Sequence, residues 1–401
     1  MITLDCGIIG GGVAGVFAAL RISENYPNLK TIIFDISAPA AKRRRFLEGW
    51  LGCLPNSNGR FYVSDFEKLS SMIDGRKSHH ISKWVLDQLK NISNIKETKN
   101  QSPTASLQKK IKQDGFEISH SNYYQWYPEQ IHLLSKNIVD RMQDNKNLIF
   151  SFENEVYKIL KKKNYFLVST SQGDFACKKI LLCAGRSGWR WVNNLYKEFG
   201  LVTEDQGSFG IRAEIGSQYM KEFNQSHCTI SNEEIEIGPL NWFGTVIPED
   251  HADLVLSGFR SNEVRWKSDK VSFSILNKNL FKNDGVNQID RIAKLSFIIA
   301  NDRVAKDKIK NILNKNSQLN LLPEFSWLTD TLNKVNNFIP ELISKGSFFI
   351  PEVNPLCSKI NIKNNLETDI EDFFVAGESA GYKGLLFAAA SGAAAADFIG
   401  R

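Results

Sequence analysis

Apolar residues run from Cys6 to Leu20 with no charge among them, and glycines at positions 7, 10, 11, 12 and 15 divide the run. The pattern predicts a short buried strand ending near Ile9, a tight turn, and an Ala-rich helix opening at Val13. A second apolar run, Thr31-Ile32-Ile33-Phe34, predicts the next strand and ends at Asp35. Helical spacing recurs from Phe66 to about Ile95 (Trp84, Leu86, Leu89, Ile92) and from Gln130 to Gln143 (Ile131, Leu134, Ile138, Met142). The polar stretch from Glu97 to Gln108 reads as an exposed loop, and the Gly, Pro and aromatic-rich stretch from Phe46 to Tyr62 as a buried one.

Further along, residues 147–152 suggest a strand, and alternation predicts strands at 156–160 and 165–169. A hairpin turn is expected at Gln172-Gly173-Asp174, with 175–178 pairing back. Lys179 to Gly185 then reads as a separate buried parallel strand entering a glycine turn. Strand-like pieces at 208–215, 235–237, 242–247 and 254–258 precede a helix-rich region. The chain closes with a strand and glycine turn at Phe373 to Gly381, then a helix from Leu385 to Ile399 that is nearly without bulk. Such a helix must lie close against another backbone or a flat ligand.

Within the first turn, Gly10, Gly12 and Gly15 form G-x-G-x-x-G, and Val13 and Ala14 open the helix whose N–H groups face an anion. Asp35 stands about 20 residues beyond the last glycine, where a ribose hydroxyl is expected. An acid there favours an unphosphorylated ribose, as in FAD or NAD. The basic run Lys42-Arg43-Arg44-Arg45 could instead meet the 2'-phosphate of NADP, or lie beside a pyrophosphate, and Arg44 and Arg45 are taken as cofactor-side residues. The motif alone leaves all three dinucleotides open.

The 401 residues carry a formal charge of +6, with Lys and Arg scattered rather than gathered in a stripe, so no nucleic-acid partner is expected. Six cysteines without a C-x-x-C pair indicate neither zinc nor a disulfide framework, and a cytoplasmic setting follows as the expectation. No apolar run approaches the roughly 20 residues that span a bilayer, so no membrane partner is expected.

Four further segments add a resemblance. Ser57-Asn58-Gly59-Arg60-Phe61, Cys183-Ala184-Gly185-Arg186-Ser187-Gly188, Phe209-Gly210-Ile211-Arg212-Ala213-Glu214 and Ala376-Gly377-Glu378-Ser379-Ala380-Gly381-Tyr382-Lys383-Gly384 follow the first turn in order. Together they resemble the FAD-dependent dehydrogenases of glutathione-reductase-like fold. The resemblance implies an α/β protein with a Rossmann-like FAD-binding domain assembled from discontinuous segments (1–65, 125–200 and 346–401). It further implies a helical excursion over 66–124 and a second α+β substrate or cap domain over 201–345. It implies FAD on Gly10, Gly12, Gly15 and Asp35, with Ala184 and Gly185 at the mid-chain turn. Gly377 and Glu378 would stand near the pyrophosphate and ribityl chain, and the backbone of Lys383, Gly384 and Leu385 near the flavin O2 edge.

The implied activity is two-electron hydride transfer through flavin N5 on a small-molecule substrate. With no second G-x-G-x-x-G before a strand-helix pair, NAD(P)H would serve only as a transient donor. A proximal cysteine pair and the motifs of flavin hydroxylases are both missing, so those classes are less favoured than a dehydrogenase or reductase. A flavin-binding RNA-modification or redox-sensing partner protein is the alternative. Arg60, Arg212 and Lys383 are the catalytic candidates: Arg212 could fork a substrate carboxylate or pair with Glu214, and Lys383 could donate at the flavin turn. Cys228 reads as a buried free thiol.

Overall fold

The computed structural model describes residues 3–39, 48–91, 95–251, 254–261, 263–278, 285–301 and 303–401. The chain divides into two compact units. Met1–Thr98, Tyr123–Glu204 and Leu356–Arg401 form the first, and Lys99–Asn122 with Asp205–Pro355 form the second.

The first unit is built on five parallel strands: β1 (Thr3–Ile9), β2 (Thr31–Phe34), Leu148–Ser151, Gly173–Leu182 and Phe373–Val375. Numbered along the chain, they lie side by side in the order 3-2-1-4-5. That is the order of a doubly wound, Rossmann-like dinucleotide-binding sheet. All four residues of β2 are buried, as an unbroken apolar run with both faces covered requires.

The fourth strand differs from the two pieces expected from its sequence. Gly173–Leu182 is continuous: on one edge its first half pairs antiparallel with Phe166–Thr170 and its last residues pair parallel with Phe373–Val375. Its other edge pairs with β1 from Ala176 to Leu182. A strand exposes hydrogen-bonding groups along two edges, so both pairings coexist without a break.

The long helix expected over 66–95 is two helices, Asp65–Ser70 and Gly75–Lys90. Asp74 ends the continuity, because its carboxylate accepts from the N–H groups of Arg76 and Lys77 and so starts a new helix. The stretch read as an excursion is divided at Thr98, with Lys99–Asn122 belonging to the second unit. Within the stretch read as a loop, Glu97–Thr98 forms a short strand and a helix begins at Ala105.

The second unit carries an antiparallel sheet in the order Ala305–Lys308, Ser347–Pro355, Gly207–Gly216, Lys270–Asn277, Ile235–Ile237, Thr229–Ser231, Glu117–Ser119. With the helices Gly285–Ile299 and Leu328–Phe338 it makes an α+β body. Ser347–Pro355 pairs along Gly207–Gly216, so residues 347–355 belong here rather than with the first unit. In Gly207–Gly216 the residues Phe209, Ile211, Ala213 and Ile215 fill one face, as period-two alternation requires.

In the first unit, the bulkless closing helix, Leu385–Ile399, packs on α1 (Val13–Asn25) at backbone distance. A Cβ on Gly392 would lie 2.0 Å from the carbonyl oxygen of Ala14. A neighbouring backbone is one of the two possibilities the sequence left open for that helix. At the far end of the seam Arg21 forks onto both carboxylate oxygens of Asp397, at 2.8 and 2.9 Å. Gly392→Ala should therefore force the two helices apart and cost about 1–3 kcal/mol. A urea unfolding midpoint equal to that of the parent protein would contradict this packing.

Candidate functional site

The strand order reverses between β1 and Gly173–Leu182, and in open sheets of this kind ligands bind beyond the carboxyl ends of the strands at that reversal. Both strands end there in glycine turns. Gly10 has φ +106°, and a Cβ on it would lie 2.5 Å from the carbonyl oxygen of Cys183. A Cβ on Gly15 would lie 2.0 Å from the carbonyl oxygen of Gly10, so helix α1 rests directly on the turn.

Gly12 is different. It is the N-cap of α1 with ordinary φ (−70°), and among the described residues, chain neighbours apart, the nearest atom to an added Cβ is 4.0 Å away. Among the described residues no side chain caps α1, and no acid stands in its first turn. Val13 and Ala14 therefore open a helix whose positive end meets no carboxylate of its own first turn.

Asp35 follows the last residue of β2 and is buried. Its Oδ2 accepts from the N–H of Gly11 at 2.6 Å, and its Oδ1 accepts from the N–H of Ser37 at 2.8 Å and from the Ser37 hydroxyl. The carboxylate thus fixes the turn by its middle glycine. Leu51 donates to the carbonyl of Gly11 at 2.8 Å, which ties in the 48–59 loop. Trp50 is buried on that loop against Phe150 and Phe152. Arg44 and Arg45 lie outside the described residues.

The mid-chain and closing turns are joined. Gly185 has φ +64° and its N–H reaches Ser379 Oγ at 3.4 Å. Arg186 donates from Nε and Nη2 to Glu378 Oε1 at 3.0 and 2.7 Å. The Tyr196 hydroxyl donates to the Ser379 carbonyl, and a Cβ on Gly377 would lie 3.0 Å from Ala14 Cβ. Ala184 is as close to the first turn, with its Cα 3.0 Å from the Cβ position of Gly10. Glu378, expected near a ribityl chain, thus carries Arg186 on its carboxylate.

The start of the closing helix holds a group the sequence did not point to. The carboxylate of Asp65 accepts from the N–H groups of Leu386 and Phe387. Lys68 Nζ lies 2.7 Å from Asp65 Oδ1 and donates to the carbonyl of Lys383 at 2.6 Å. Gly384 has φ +133°, and a Cβ on it would fall 2.3 Å from the Asp65 carboxyl carbon. Burial raises the carboxyl of Asp65 above its usual range, while Lys68 and the two N–H groups pull it back. The helix end expected to face a flavin carbonyl through Lys383, Gly384 and Leu385 therefore gives its next two N–H groups to an internal anion.

Among the catalytic candidates, Arg60 lies in the strand Arg60–Tyr62 and hydrogen-bonds the Tyr62 hydroxyl. Burial raises Tyr62 and Arg60 partly offsets this. Arg212 belongs to the second unit and forks onto Glu352 at 2.8 and 3.1 Å, while Glu352 also accepts from Ser274 at 2.6 Å. Its fork is engaged within the protein, and the partner is Glu352, not the adjacent Glu214. Glu214 instead meets Lys270 and Lys306 at 2.9 and 2.8 Å. Cys228 is a buried free thiol, pushed up to about 11 by burial, and is protonated at neutral pH.

Asp65, Lys68 and Arg186 went unassigned from the sequence. Arg186 sits beside Gly185 and could have been found by its place in the turn. Asp65 and Lys68 could be paired with each other at i,i+3 but not with the closing turn, which lies more than 300 residues away along the chain, as the Lys68 to Lys383 separation of 315 shows.

No helix among the described residues is long and apolar enough to cross a membrane. No protein-family model matches the chain, and no curated protein matches it. Solved structures with a similar course include a glycine oxidase from Geobacillus kaustophilus, at 11% identity over 100% of this chain and 95% of that one, TM-score 0.44. The L-α-glycerophosphate oxidase of Mycoplasma pneumoniae is 13% identical over 100% of this chain and 95% of that one, TM-score 0.47. A flavoprotein/dehydrogenase from Cytophaga hutchinsonii is 12% identical over 99% and 78%, TM-score 0.41. Likeness at this level leaves the assignment to the geometry of the site itself.

Proposed function

We propose that the first unit binds FAD at its strand reversal and that the protein is an FAD-dependent oxidoreductase acting on a small-molecule substrate. Gly12 carries the reading. Among the described residues, chain neighbours apart, no atom comes nearer than 4.0 Å to an added Cβ, so their packing does not explain a glycine there and the close approach of a group outside the chain does. The position is the start of a helix without a side-chain cap, where a pyrophosphate is stabilised by N–H groups and by the helix dipole.

A second glycine turn, at Gly377, stands against Ala14 on the same helix start, which suits a ligand extending beyond its phosphates in both directions. Asp35 holds Gly11 in place and keeps a lone pair on Oδ2 for a ribose hydroxyl. The resemblance of the later segments to flavin-binding turns favours FAD over NAD. A bound flavin supplies hydride and two-electron transfer at N5. The chain's own residues would hold and orient it, and Asp65 with Lys68 would set the charge beside the closing turn. A dehydrogenase or reductase is the finer reading, with NAD(P)H as a transient donor.

Purified protein incubated with FAD should retain a visible flavin band that bleaches anaerobically with NADH, NADPH or a substrate. Gly12→Ala should keep the thermal midpoint and lose FAD affinity by about tenfold or more, equal to about 1.4 kcal/mol. Gly15→Ala, whose Cβ would strike Gly10, should lower stability itself. A Gly12→Ala protein that binds FAD fully would refute the site.

Asp65→Asn keeps a capping side chain and removes the charge. It should raise the two-electron potential of the bound flavin by about 30 mV or more, the equivalent of about 1.4 kcal/mol. An unchanged potential would place Asp65 away from the flavin. Because the folded carboxyl is raised, its charged form is disfavoured in the fold, so the native protein loses stability as pH rises from the ordinary carboxylate value through the raised one. Urea unfolding should show Asp65→Asn gaining on the parent across that interval and holding a constant margin above it.

A further inference from the structure

Two turns beyond the start of α1, at the end of the helix layer away from the glycine turn, the first unit has a cleft of about 330 Å³, at the small end of the range for ligand pockets. Its floor is apolar, with Ile73 and Ile81 buried and Phe398 half-buried. The Arg21–Asp397 pair closes its inner end, so those two charges answer each other. The remaining cations are Arg76, Lys77 and Arg401, with the imidazole of His80 beside them and no further carboxylate side chain on the lining among the described residues.

The placement of these cations is unfavourable for the helix that carries most of them. Gly75–Lys90 begins with Arg76 and Lys77 in its first turn and has no acid there, although a helix N-terminus repels positive charge. Asp74 at the N-cap is the local compensation. Lys77 and Ile81 stand four apart in the helix, which sets Lys77 in the row of a buried isoleucine, and its Nζ stands 4.6 Å from the centre of the Phe398 ring. Arg76 and His80 form the adjacent row. All three side chains are exposed, so the charges of Arg76 and Lys77 and the ring nitrogens of His80 are available at the mouth of an apolar cleft. Local rules broken in this way mark functional sites, and an anion at the cleft mouth would turn the repulsion into attraction.

We propose that this cleft binds a small amphipathic anion, a ring-sized apolar body bearing one carboxylate or phosphate, with the body on Ile81 and Phe398 and the head group on Arg76, Lys77 and His80. The site is separate from the dinucleotide turn and does not rest on the flavin reading. An anion fits better than a neutral ligand because charge-assisted hydrogen bonds to guanidinium and ammonium groups are the strong ones.

Isothermal titration of the full chain with phenyl phosphate, phenylacetate, benzyl alcohol and inorganic phosphate tests the proposal. At least one of the two aromatic anions should bind once per chain, about tenfold or more tighter than benzyl alcohol and than inorganic phosphate. The tighter of the two identifies the head group. Arg76→Ala/Lys77→Ala should weaken it about tenfold or more, with the thermal midpoint and FAD retention unchanged. If that variant loses fold, Arg76→Gln/Lys77→Gln carries the same expectation. Gly12→Ala should leave this binding intact. The proposal is overturned by the absence of saturable heat from either anion up to about 10 mM, by equal binding of benzyl alcohol or inorganic phosphate, or by a double variant that binds as the parent does.

Discussion

The first unit depends on how closely helix α1 approaches its neighbours. Gly15 lets it rest on the carbonyl of Gly10, and Gly392 lets the closing helix rest on the carbonyl of Ala14. Both contacts leave no room for a single carbon. Because α1 is pinned on two sides, its N-terminus is held at the carboxyl ends of β1 and Gly173–Leu182, where the strand order reverses. The candidate site is therefore a by-product of tight packing: the glycines that bring backbones together also leave the helix start without a side-chain cap among the described residues.

Charge is then distributed unevenly between two helix starts in the same unit. At α1 no side chain among the described residues caps the helix, and the nearby acid, Asp35, is held by Gly11 and Ser37. At the closing helix, Asp65 occupies two N–H groups and Lys68 steadies it. Among the described residues, one helix end has no acid in its first turn and the other carries an internal anion. If reduction places negative charge on a flavin near the closing turn, that charge would meet a carboxylate paired with a lysine rather than a bare dipole. The joined turns, Arg186 on Glu378 and Gly185 on Ser379, keep this second edge in register with the first.

Patterning made much of this legible. The apolar runs at β1 and β2, the helical spacing of 131, 134, 138 and 142, and the small-residue closing helix all matched elements of the fold, because each is a local signal set by burial on one face or both. Reading failed where partners decide. Ser347–Pro355 is apolar enough to suit either unit, and only its pairing with Gly207–Gly216 assigns it. Asp74, one polar residue among many, split a predicted helix by capping its own neighbours.

Sequence alone determined the glycine turn, its acid at Asp35 and the helix that follows, since backbone conformation and close approach restrict those positions to particular residue types. Tertiary structure decided which charges meet. Arg212 turned from its strand neighbourhood to Glu352, Asp65 reached a helix more than 300 residues away, and Arg76 and Lys77 came to line a cleft with Phe398. Charged side chains pair by distance in space, and the distance between two residues far apart in the chain is written only in the fold.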